Sequence, residues 1–376
     1  MAVNTMPVTA GDALSVLKSM WDSGLARKVS TMMHGEPGIG KTQIAEALAR
    51  YIGGPLYDVR LTTIEPSDLR GLPYYDHEKK QTVWYRPEDL PNMGPAVLFL
   101  DELSAASPQV QPTVYGLLQE RRVGQHKLPD DVMIVAAGNT VEDGAVAFEL
   151  GSAIADRMVH LYVQASADDW LNNYAIPQNL HPAVTAFIKT RPDYLSNNQE
   201  CLRAGKMIAT TPRSWDRVSQ IMQTVNDRRI RNIMIAGTIG ASVHADFLIV
   251  ADDIAASVQV IEMVKKPRAE RIALYPNTLH GLNAMVFGLV GNLSAETLEA
   301  AMQILLDLRH LDKKRPNDEA FTRLPLKELA TNGFELLFNK AITAGLDGQV
   351  AVSSTYAEYE RERAELGLNS MMGVAA

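Results

Sequence analysis

Eight residues near the start of the chain have the composition of a loop that binds phosphate. The stretch GEPGIGKT fits the pattern G-x-x-x-x-G-K-[ST]. Its glycines let backbone N–H groups converge on an anion, and a helix directly after the loop would point the positive end of its dipole at the same place. Lys41 would then contact the outer phosphates of a nucleotide, and Thr42 would hold Mg²⁺. The residues expected around the phosphates are Gly35, Glu36, Pro37, Gly38, Ile39, Gly40, Lys41 and Thr42.

Two adjacent carboxylates follow an apolar run in the first half of the chain. The run VLFLDE predicts a strand that ends in Asp101 and Glu102, and parallel strands deliver such side chains to the edge of the sheet where ligands bind. Asp101 would hold the metal through water, and Glu102 would activate the attacking water. The alternative is that both residues merely end a strand. A kinase that phosphorylates a metabolite needs no base for water, so the pair favours nucleotide hydrolysis.

Three further polar residues stand at the ends of predicted elements. Asn139 closes the run VMIVAAGN, Arg157 precedes the run VHLYVQ, and Arg213 lies in the first turn of a predicted helix, TPRSWDRVSQIMQ. An asparagine at a strand end can position water, and an arginine can stabilise the charge of a transferred phosphoryl group, even from a neighbouring subunit. Turn chemistry for Asn139 and a surface or helix-start ion pair for each arginine are the alternatives.

The elements that must position these residues alternate between strand and helix. The runs that predict strands are KVSTMMHG, PLYDVRL, PAVLFLDE, VMIVAAGN and VHLYVQ. Helical patterns lie between them over the first 165 residues, which predicts an α/β fold with a parallel sheet covered by helices on both faces. After Ala165 helical periodicity takes over.

Two of the predicted helices have a serine as their expected N-cap. In SPQVQPTVYGLLQERR we expect Ser107 to be the cap and Pro108 to occupy the first turn. Pro112 would then lie inside the helix and remove a backbone donor. In SAETLEAAMQILLDL the expected cap is Ser294.

Composition limits the class of protein. The chain has 376 residues, a formal net charge of −8 and 46% hydrophobic residues, so we expect two or three folded domains. A single cysteine, Cys201, excludes a disulfide within the chain, and we expect a cytoplasmic protein without a signal peptide or membrane insertion. The acidic charge disfavours a nucleic-acid partner, and the basic runs KKPRAER and RHLDKKR each contain an acidic residue, as solvated surfaces do.

The order of GEPGIGKT, VLFLDE, AAGN, ADRM and TPRSW resembles that of a MoxR-type AAA+ ATPase over about residues 10 to 250. The resemblance implies a P-loop NTPase fold followed by an α-helical lid and a helical C-terminal region. The expected divisions are a nucleotide-binding core over residues 1–165, with hairpin inserts near 72–87 and 121–128, a lid over 166–255, and a region of unknown role over 256–376.

The resemblance also assigns roles within the site. Its implied cofactors are ATP and Mg²⁺. The catalytic residues that it implies are Glu102, Asn139, Arg157 and Arg213, and the metal ligands are Thr42 and Asp101. Arg157 matches the arginine finger, although Met158 stands where the family usually has an aromatic residue, and Arg121 or Arg122 is the alternative for the arginine that acts in trans.

Members of this family usually form hexameric rings, act as chaperone-like remodellers and often work with a protein that carries a von Willebrand factor A domain. The resemblance implies the same partners here. Tyr74, Tyr75, Trp84 and Tyr85 give the first hairpin aromatic side chains, which would contact the client or pack on their own domain. A nucleic-acid-directed AAA+ motor or loader is the alternative function, and a small-molecule kinase is a third.

Overall fold

The computed structural model describes residues 5–139, 156–257 and 259–365. The chain forms two compact units: Met1–Ser166 with Ser196–Arg213, and Ala167–Leu195 with Ser214–Ala376. All the residues for which the sequence predicts a role in the site belong to the first unit. The segment Ser196–Arg213, which the sequence assigns to the lid, therefore clusters with the first unit. The division of the chain at residue 256 into a lid and a C-terminal region stays a prediction.

A parallel sheet forms the centre of the first unit. Its described strands and those of two hairpins are β1 (Pro7–Val8), β2 (Ser30–His34), β3 (Leu56–Arg60), β4 (Pro73–Asp76), β5 (Gln81–Trp84), β6 (Ala96–Asp101), β7 (Arg122–Val123), β8 (His126–Lys127), β9 (Val132–Gly138) and β10 (Met158–Val163). Six of these strands form the sheet in the order β1-β10-β2-β9-β6-β3. Every pair of neighbours in that sheet is parallel.

Helices cover both faces of this sheet, as the sequence predicts. The first four are α1 (Ala10–Asp22), α2 (Lys41–Ile52), α3 (Pro66–Arg70) and α4 (Gln111–Glu120). Because side chains alternate along a strand, Leu98 and Leu100 of β6 belong to one buried cluster, which includes residues of α4. Val97 and Phe99 belong to another, which includes residues of α1 and α2. The strand has an unbroken apolar sequence since both of its faces are buried.

Helix α4 begins later than its sequence indicates. Its first residue is Gln111, and the carbonyl of Ser107 instead accepts hydrogen bonds from Val110 N and Gln111 N at 3.0 and 3.2 Å, which makes a turn before the helix. The prediction that Ser107 caps the helix is wrong. Pro112 consequently lies in the first turn, where the N–H groups have no partner within the helix, so the expected loss of a backbone bond is also wrong.

The second serine cap is likewise displaced. The helix Leu298–Arg309 has Thr297 as its N-cap residue. Ser294 N donates to Thr297 Oγ1 at 2.8 Å, and Thr297 N donates to Ser294 Oγ at 3.3 Å. These reciprocal bonds stabilise a separate turn ahead of the helix, because serine and threonine hydroxyls satisfy local backbone groups in turns as well as at caps.

The two hairpins lie in the segments where the sequence predicts inserts. β4 and β5 pair in antiparallel fashion around the tip HEKK, and β7 pairs with β8. In the first hairpin, Tyr74 stacks on Tyr85 with ring centroids 4.6 Å apart, and the Arg70 guanidinium lies 4.4 Å from the Trp84 ring centroid. Tyr75 is 76% exposed. The aromatic side chains therefore divide between local packing and open surface.

The second unit is helical throughout its described residues. Its α-helices of eight or more residues are Pro182–Thr190, Pro212–Thr224, Arg228–Ile239, Ala241–Ser257, Leu279–Gly291, Leu298–Arg309, Leu326–Thr343 and Ser354–Glu365. The first two residues of the helix Pro212–Thr224 belong to the first unit. Buried aromatic rings join several of them: Phe187 lies 5.3 Å from Trp215 and 5.5 Å from Phe247, between ring centroids. Within the part of the chain that the structure describes, no helix has the length and apolar character needed to cross a membrane.

Candidate active site

The predicted phosphate loop joins β2 to α2 at the carboxyl end of the sheet. Two positions of the loop require glycine, because each has a positive φ and leaves no room for a Cβ atom. Gly38 has a φ of +81°, and a Cβ there would lie 2.8 Å from Thr211 Oγ1. Gly35 has a φ of +149°, and its Cβ would lie 2.4 Å from the carbonyl oxygen of Val163. Glycine alone adopts such conformations without strain, so the loop packs tightly against its surroundings.

Lys41 lies at the start of α2 with its side chain folded back over the loop. Its ammonium group donates hydrogen bonds to Gly35 O at 2.7 Å, Glu36 O at 3.0 Å and Asn139 Oδ1 at 2.9 Å. Lys41 is only 9% exposed. The structure thus brings together the loop lysine and the asparagine that follows β9, two residues that the sequence assigns to one site.

The two carboxylates stand beside them at the end of β6. Asp101 closes the strand, and its Oδ1 accepts a hydrogen bond from Glu102 N at 2.9 Å. Glu102 has a φ of +58°, a left-handed conformation that costs free energy in a residue other than glycine.

Two residues that the sequence analysis did not single out contact these carboxylates. Thr62 Oγ1 donates a hydrogen bond to Glu102 Oε2. Arg60, at the end of β3, lies 3.9 Å from Asp101 Oδ2 and 3.9 Å from Glu102 Oε1. In the sequence, the only indication of a role for Arg60 and Thr62 is their position at the end of a predicted strand. The pairing of β3 with β6 is what places them beside Asp101 and Glu102.

The segment Ser196–Arg213, which ends in the first turn of the helix Pro212–Thr224, contacts the loop. Arg213 N donates to Gly38 O at 3.3 Å, and Ser196 Oγ donates to Glu36 Oε2 at 2.7 Å. Over the described ranges, the Arg213 guanidinium forms no ion pair, so the helix-start salt bridge considered from the sequence is not seen. The backbone contact places Arg213 directly at the phosphate loop.

The arginines considered for action in trans differ in their surroundings. Arg157 is exposed just before β10. Arg121 donates to the carbonyls of Ala26 at 3.3 Å, Pro129 at 3.1 Å and Val132, and burial lowers its pKa. Arg122 donates to Gly124 O at 2.9 Å. Arg121 therefore acts as a structural donor within its own chain, whereas the side chain of Arg157 is exposed.

His34, which is buried directly before the loop, pairs with the partly buried His160 of β10. His34 Nε2 is 2.8 Å from His160 Nδ1, and the two rings stack with centroids 5.1 Å apart. Burial, followed by the proximity of His160 and of Lys41, lowers the pKa of His34 to about 4. His34 is thus neutral at pH 7 and adds no charge next to Lys41.

The donor set fits a hard divalent cation that is held jointly with a nucleotide. Thr42 supplies a hydroxyl and Asp101 a carboxylate, which are the oxygen ligands that Mg²⁺ prefers. Within the described ranges, no group of three or more histidine, cysteine or acidic side chains could hold a metal ion alone. Mg²⁺ commonly binds through one or two protein oxygens, water and substrate phosphates, so a sparse protein donor set suits it.

Comparison with known proteins identifies the same part of the chain. The family model described as ATPase family associated with various cellular activities (AAA) matches residues 30–160. That segment begins with β2 and includes the phosphate loop, the Asp101–Glu102 pair and Asn139.

Three relatives are similar to part of the chain. ATPase family gene 2 protein homolog B from Mus musculus is 33% identical over 121 residues, which is 32% of this chain and 14% of that protein. Chaperone MoxR1 from Mycobacterium tuberculosis is 29% identical over 144 residues, or 36% of each protein. Protein MoxR from Methylorubrum extorquens is 31% identical over 138 residues, which is 34% of this chain and 38% of that protein. The chain therefore matches less than two fifths of each of these relatives.

Proposed function

We propose that the chain, whose residues 30–160 match the family model described as ATPase family associated with various cellular activities and which is similar to MoxR proteins over part of its length, binds ATP with Mg²⁺ and hydrolyses it to ADP and phosphate. The observation that carries the proposal is the bond between Lys41 and Asn139 Oδ1 at the phosphate loop, next to a strand that ends in two carboxylates. A cation, a polar amide and a base close to one anion-binding loop are what hydrolysis of a phosphoanhydride requires.

Each residue has a distinct part in the proposed reaction. The loop from Gly35 to Gly40 offers backbone N–H groups to the phosphates, and Lys41 would exchange its carbonyl partners for phosphate oxygens. Mg²⁺, once bound, neutralises phosphate charge, and Thr42 and Asp101 would hold it, Asp101 through water. Asn139 would orient the attacking water.

Glu102 is the proposed base, and its neighbours fix its orientation. The hydrogen bond from Thr62 engages Oε2 and leaves Oε1 for a water molecule. Arg60 lies 3.9 Å from Oε1. Thr62 and Arg60 are therefore positioning residues in this proposal.

The test is Glu102→Gln, with Glu120→Gln as its matched control. The amide is nearly isosteric with the carboxylate but cannot accept the proton of water, so we expect ATP binding to be retained while phosphate release falls by roughly 10²–10⁴-fold. Glu120 is an exposed residue at the end of α4, and its replacement should change neither quantity. Turnover of Glu102→Gln at the wild-type rate would show that another residue is the base.

We further propose that ATP hydrolysis remodels a protein partner in the cytoplasm, within a ring that we expect to be a hexamer and beside a protein that carries a von Willebrand factor A domain. The support is the name chaperone given to MoxR1 and the exposed Tyr75 and Tyr85 on the first hairpin, at 76% and 62% exposure. Sedimentation of Glu102→Gln with ATP measures ring size, and the proteins retained on the trapped variant identify the client. Stimulation of the ATPase by DNA and by no retained protein would favour the nucleic-acid-directed alternative.

A further inference from the structure

The helical unit contains a cavity of about 770 Å³ that is separate from the residues of the proposed ATPase site. Its walls come from helices of that unit alone, and a volume of this size is typical of a small-molecule site. The helices that contribute lining residues are Pro182–Thr190, Pro212–Thr224, Arg228–Ile239, Ala241–Ser257, Val260–Lys265 and Leu279–Gly291.

Much of the cavity wall is apolar. It includes Met222, Leu248, Ala251, Ile254 and Val260. Ala251, Ile254 and Val260 are themselves 6 to 8% exposed and belong to the main core of the unit. This wall offers a hydrocarbon group the same kind of contact as the protein interior.

The lining also carries two cations without acidic partners. Neither Arg231 nor Lys265 forms an ion pair with any carboxylate in the described parts of the chain. The two carboxylates of the lining have partners that are not lining residues: Asp252 is 2.7 Å from Arg228, and Glu262 is 2.8 Å from Lys266. Arg231 and Lys265 are therefore the lining residues whose positive charge is available to an anionic ligand.

His181 adds a neutral donor to the lining. Its Nδ1 accepts a hydrogen bond from Ala183 N at 3.2 Å, so the proton of the ring must be on Nε2. Burial, followed by the charge of Arg231, lowers the pKa of His181 to about 4. The ring is consequently uncharged at pH 7 and can donate only through Nε2.

The balance of charge selects the kind of anion. Arg231 and Lys265 supply two positive charges and Asp252 and Glu262 supply two negative ones, so the lining has no net charge to offset a phosphate dianion. A single negative charge can instead be bound locally by Arg231, which suits a planar carboxylate through two parallel N–H groups. The apolar wall then requires that the rest of the ligand be hydrocarbon.

We propose that this cavity binds a carboxylate carried on an apolar group. Arg231 and Lys265 bind the carboxylate, His181 Nε2 donates to it, and the wall formed with Met222 and Leu248 covers the hydrocarbon. Two sources share this chemistry: a free organic acid and the C-terminal carboxylate of a peptide that ends in an aliphatic residue.

The test measures binding to the full chain by calorimetry with four probes. These are octanoate, octanamide, the peptide acetyl-Ala-Ala-Leu with a free carboxylate, and the same peptide as its C-terminal amide. We expect one acid to bind once per chain and its amide to bind at least about tenfold more weakly, since a charge-assisted hydrogen bond is lost. The acid that binds identifies the source, and the measurement needs no nucleotide, so its failure says nothing about the ATPase.

Three variants locate the bound acid. Arg231→Gln should weaken binding of the acid at least about tenfold without weakening binding of the amide. Lys265→Gln replaces an exposed residue and should also weaken binding of the acid. It tests the proposal even if Arg231→Gln fails to fold. Arg229→Gln is the matched control because Arg229 lies on the same helix, is exposed and does not line the cavity. The proposal is overturned if neither acid binds one to one, if acid and amide bind equally, or if Arg229→Gln matches the loss in Arg231→Gln.

Discussion

Lys41 is buried among oxygen atoms that a nucleotide could replace. Its ammonium group contacts Gly35 O, Glu36 O and Asn139 Oδ1, so the charge is already directed into the loop. Replacement by alanine removes the cation, and since each hydrogen bond of a charged group is worth about 1.5–3 kcal/mol, Lys41→Ala should weaken ATP binding by roughly 100-fold or more.

Calorimetric titration with ATP and Mg²⁺ measures the effect of Lys41→Ala. Lys28→Ala is its control, since Lys28 is exposed and precedes β2 rather than the loop. An unchanged affinity of Lys41→Ala for ATP would show that Lys41 does not contact the phosphates.

His34 predicts how stability depends on pH. Its pKa falls from 6.5 to about 4 on folding because of burial, His160 and Lys41, so the folded state favours the neutral ring. The contribution is complete above pH 6.5 and is lost as the pH falls towards 4, with an upper value of about 3 kcal/mol. Between pH 7 and 4.5, the free energy of unfolding should therefore fall less steeply in His34→Gln than in the wild type.

Urea unfolding at several pH values measures the slope for His34→Gln. His77→Gln, in an exposed hairpin tip, should keep the wild-type slope. His181 also titrates in this range but is present in all three proteins. Equal slopes for the wild type and His34→Gln would mean that the histidine pair contributes nothing to acid sensitivity.

At the scale of elements, the helix Leu298–Arg309 depends on a buried carboxylate. Asp307 is fully buried and accepts hydrogen bonds from Arg268 at 2.7, 2.9 and 3.1 Å and from Lys314. Burial alone would raise the pKa of Asp307, but these bonds outweigh it and hold the pKa below 3.8. Asp307 thus joins this helix to Arg268 and Lys314 on either side of it in sequence.

Asp307→Asn leaves both cations without their charge partner. Because the two cations are partly exposed, at 42% and 36%, we expect the free energy of unfolding at pH 7 to fall by about 1.5–3 kcal/mol, the range for a hydrogen bond to a charged group. The difference from the wild type should shrink as the pH falls below 3.8 towards the lowered pKa of the folded state, because the carboxylate of the unfolded wild type takes up a proton first and that of the folded protein afterwards.

Thermal and urea unfolding measure this difference. The control is Glu319→Gln, whose carboxylate is 89% exposed and lies 3.8 Å from Arg323, and it should leave stability almost unchanged. Equal stability of Asp307→Asn and Glu319→Gln would show that the Asp307 cluster is not a stabilising contact.

At the scale of the whole molecule, Arg157 is expected to complete the site of a neighbouring subunit. It is exposed, and nothing in the described residues neutralises it. Arg157→Ala should keep ATP binding and lose hydrolysis, because an arginine finger supplies about 10³–10⁵ in rate. We expect Arg157→Ala and Glu102→Gln each to be inactive alone. When the two variants are mixed, some subunit interfaces should combine an intact Glu102 with an intact Arg157. Phosphate release should then reappear.

A fluorescence assay of subunit exchange must accompany this mixing experiment. Arg122→Ala is the comparison, since Arg122 already donates to Gly124 O and should retain activity. Exchange without recovered activity, or loss of hydrolysis in Arg122→Ala but not in Arg157→Ala, would contradict the assignment of Arg157.

The sequence by itself determined the parallel sheet, the glycine-rich loop between β2 and α2, and the strand that ends at Asp101 just before Glu102. These features depend on local patterns: apolar runs of strand length, helical periodicity between them and a loop whose glycines and lysine are consecutive. Lys41 and Asn139 could also be assigned to one site, since the carboxyl ends of parallel strands share an edge.

Local patterns were insufficient where several residues compete for one turn. Ser107 and Ser294 both have the chemistry of helix caps, yet each accepts bonds in a turn that precedes its helix. The hydroxyl and carbonyl groups satisfy backbone donors equally well in either arrangement, so the sequence could not fix where these helices begin.

Only the tertiary structure decided which distant residues surround the site. The pairing of β3 with β6 brings Arg60 and Thr62 to Glu102, and the pairing of β2 with β10 joins His34 to His160 across 126 positions. The same folding engages Arg121 with carbonyls far along the chain, which distinguishes it from Arg157. Strand order and burial are properties of the whole packed chain, and no spacing within a short motif encodes them.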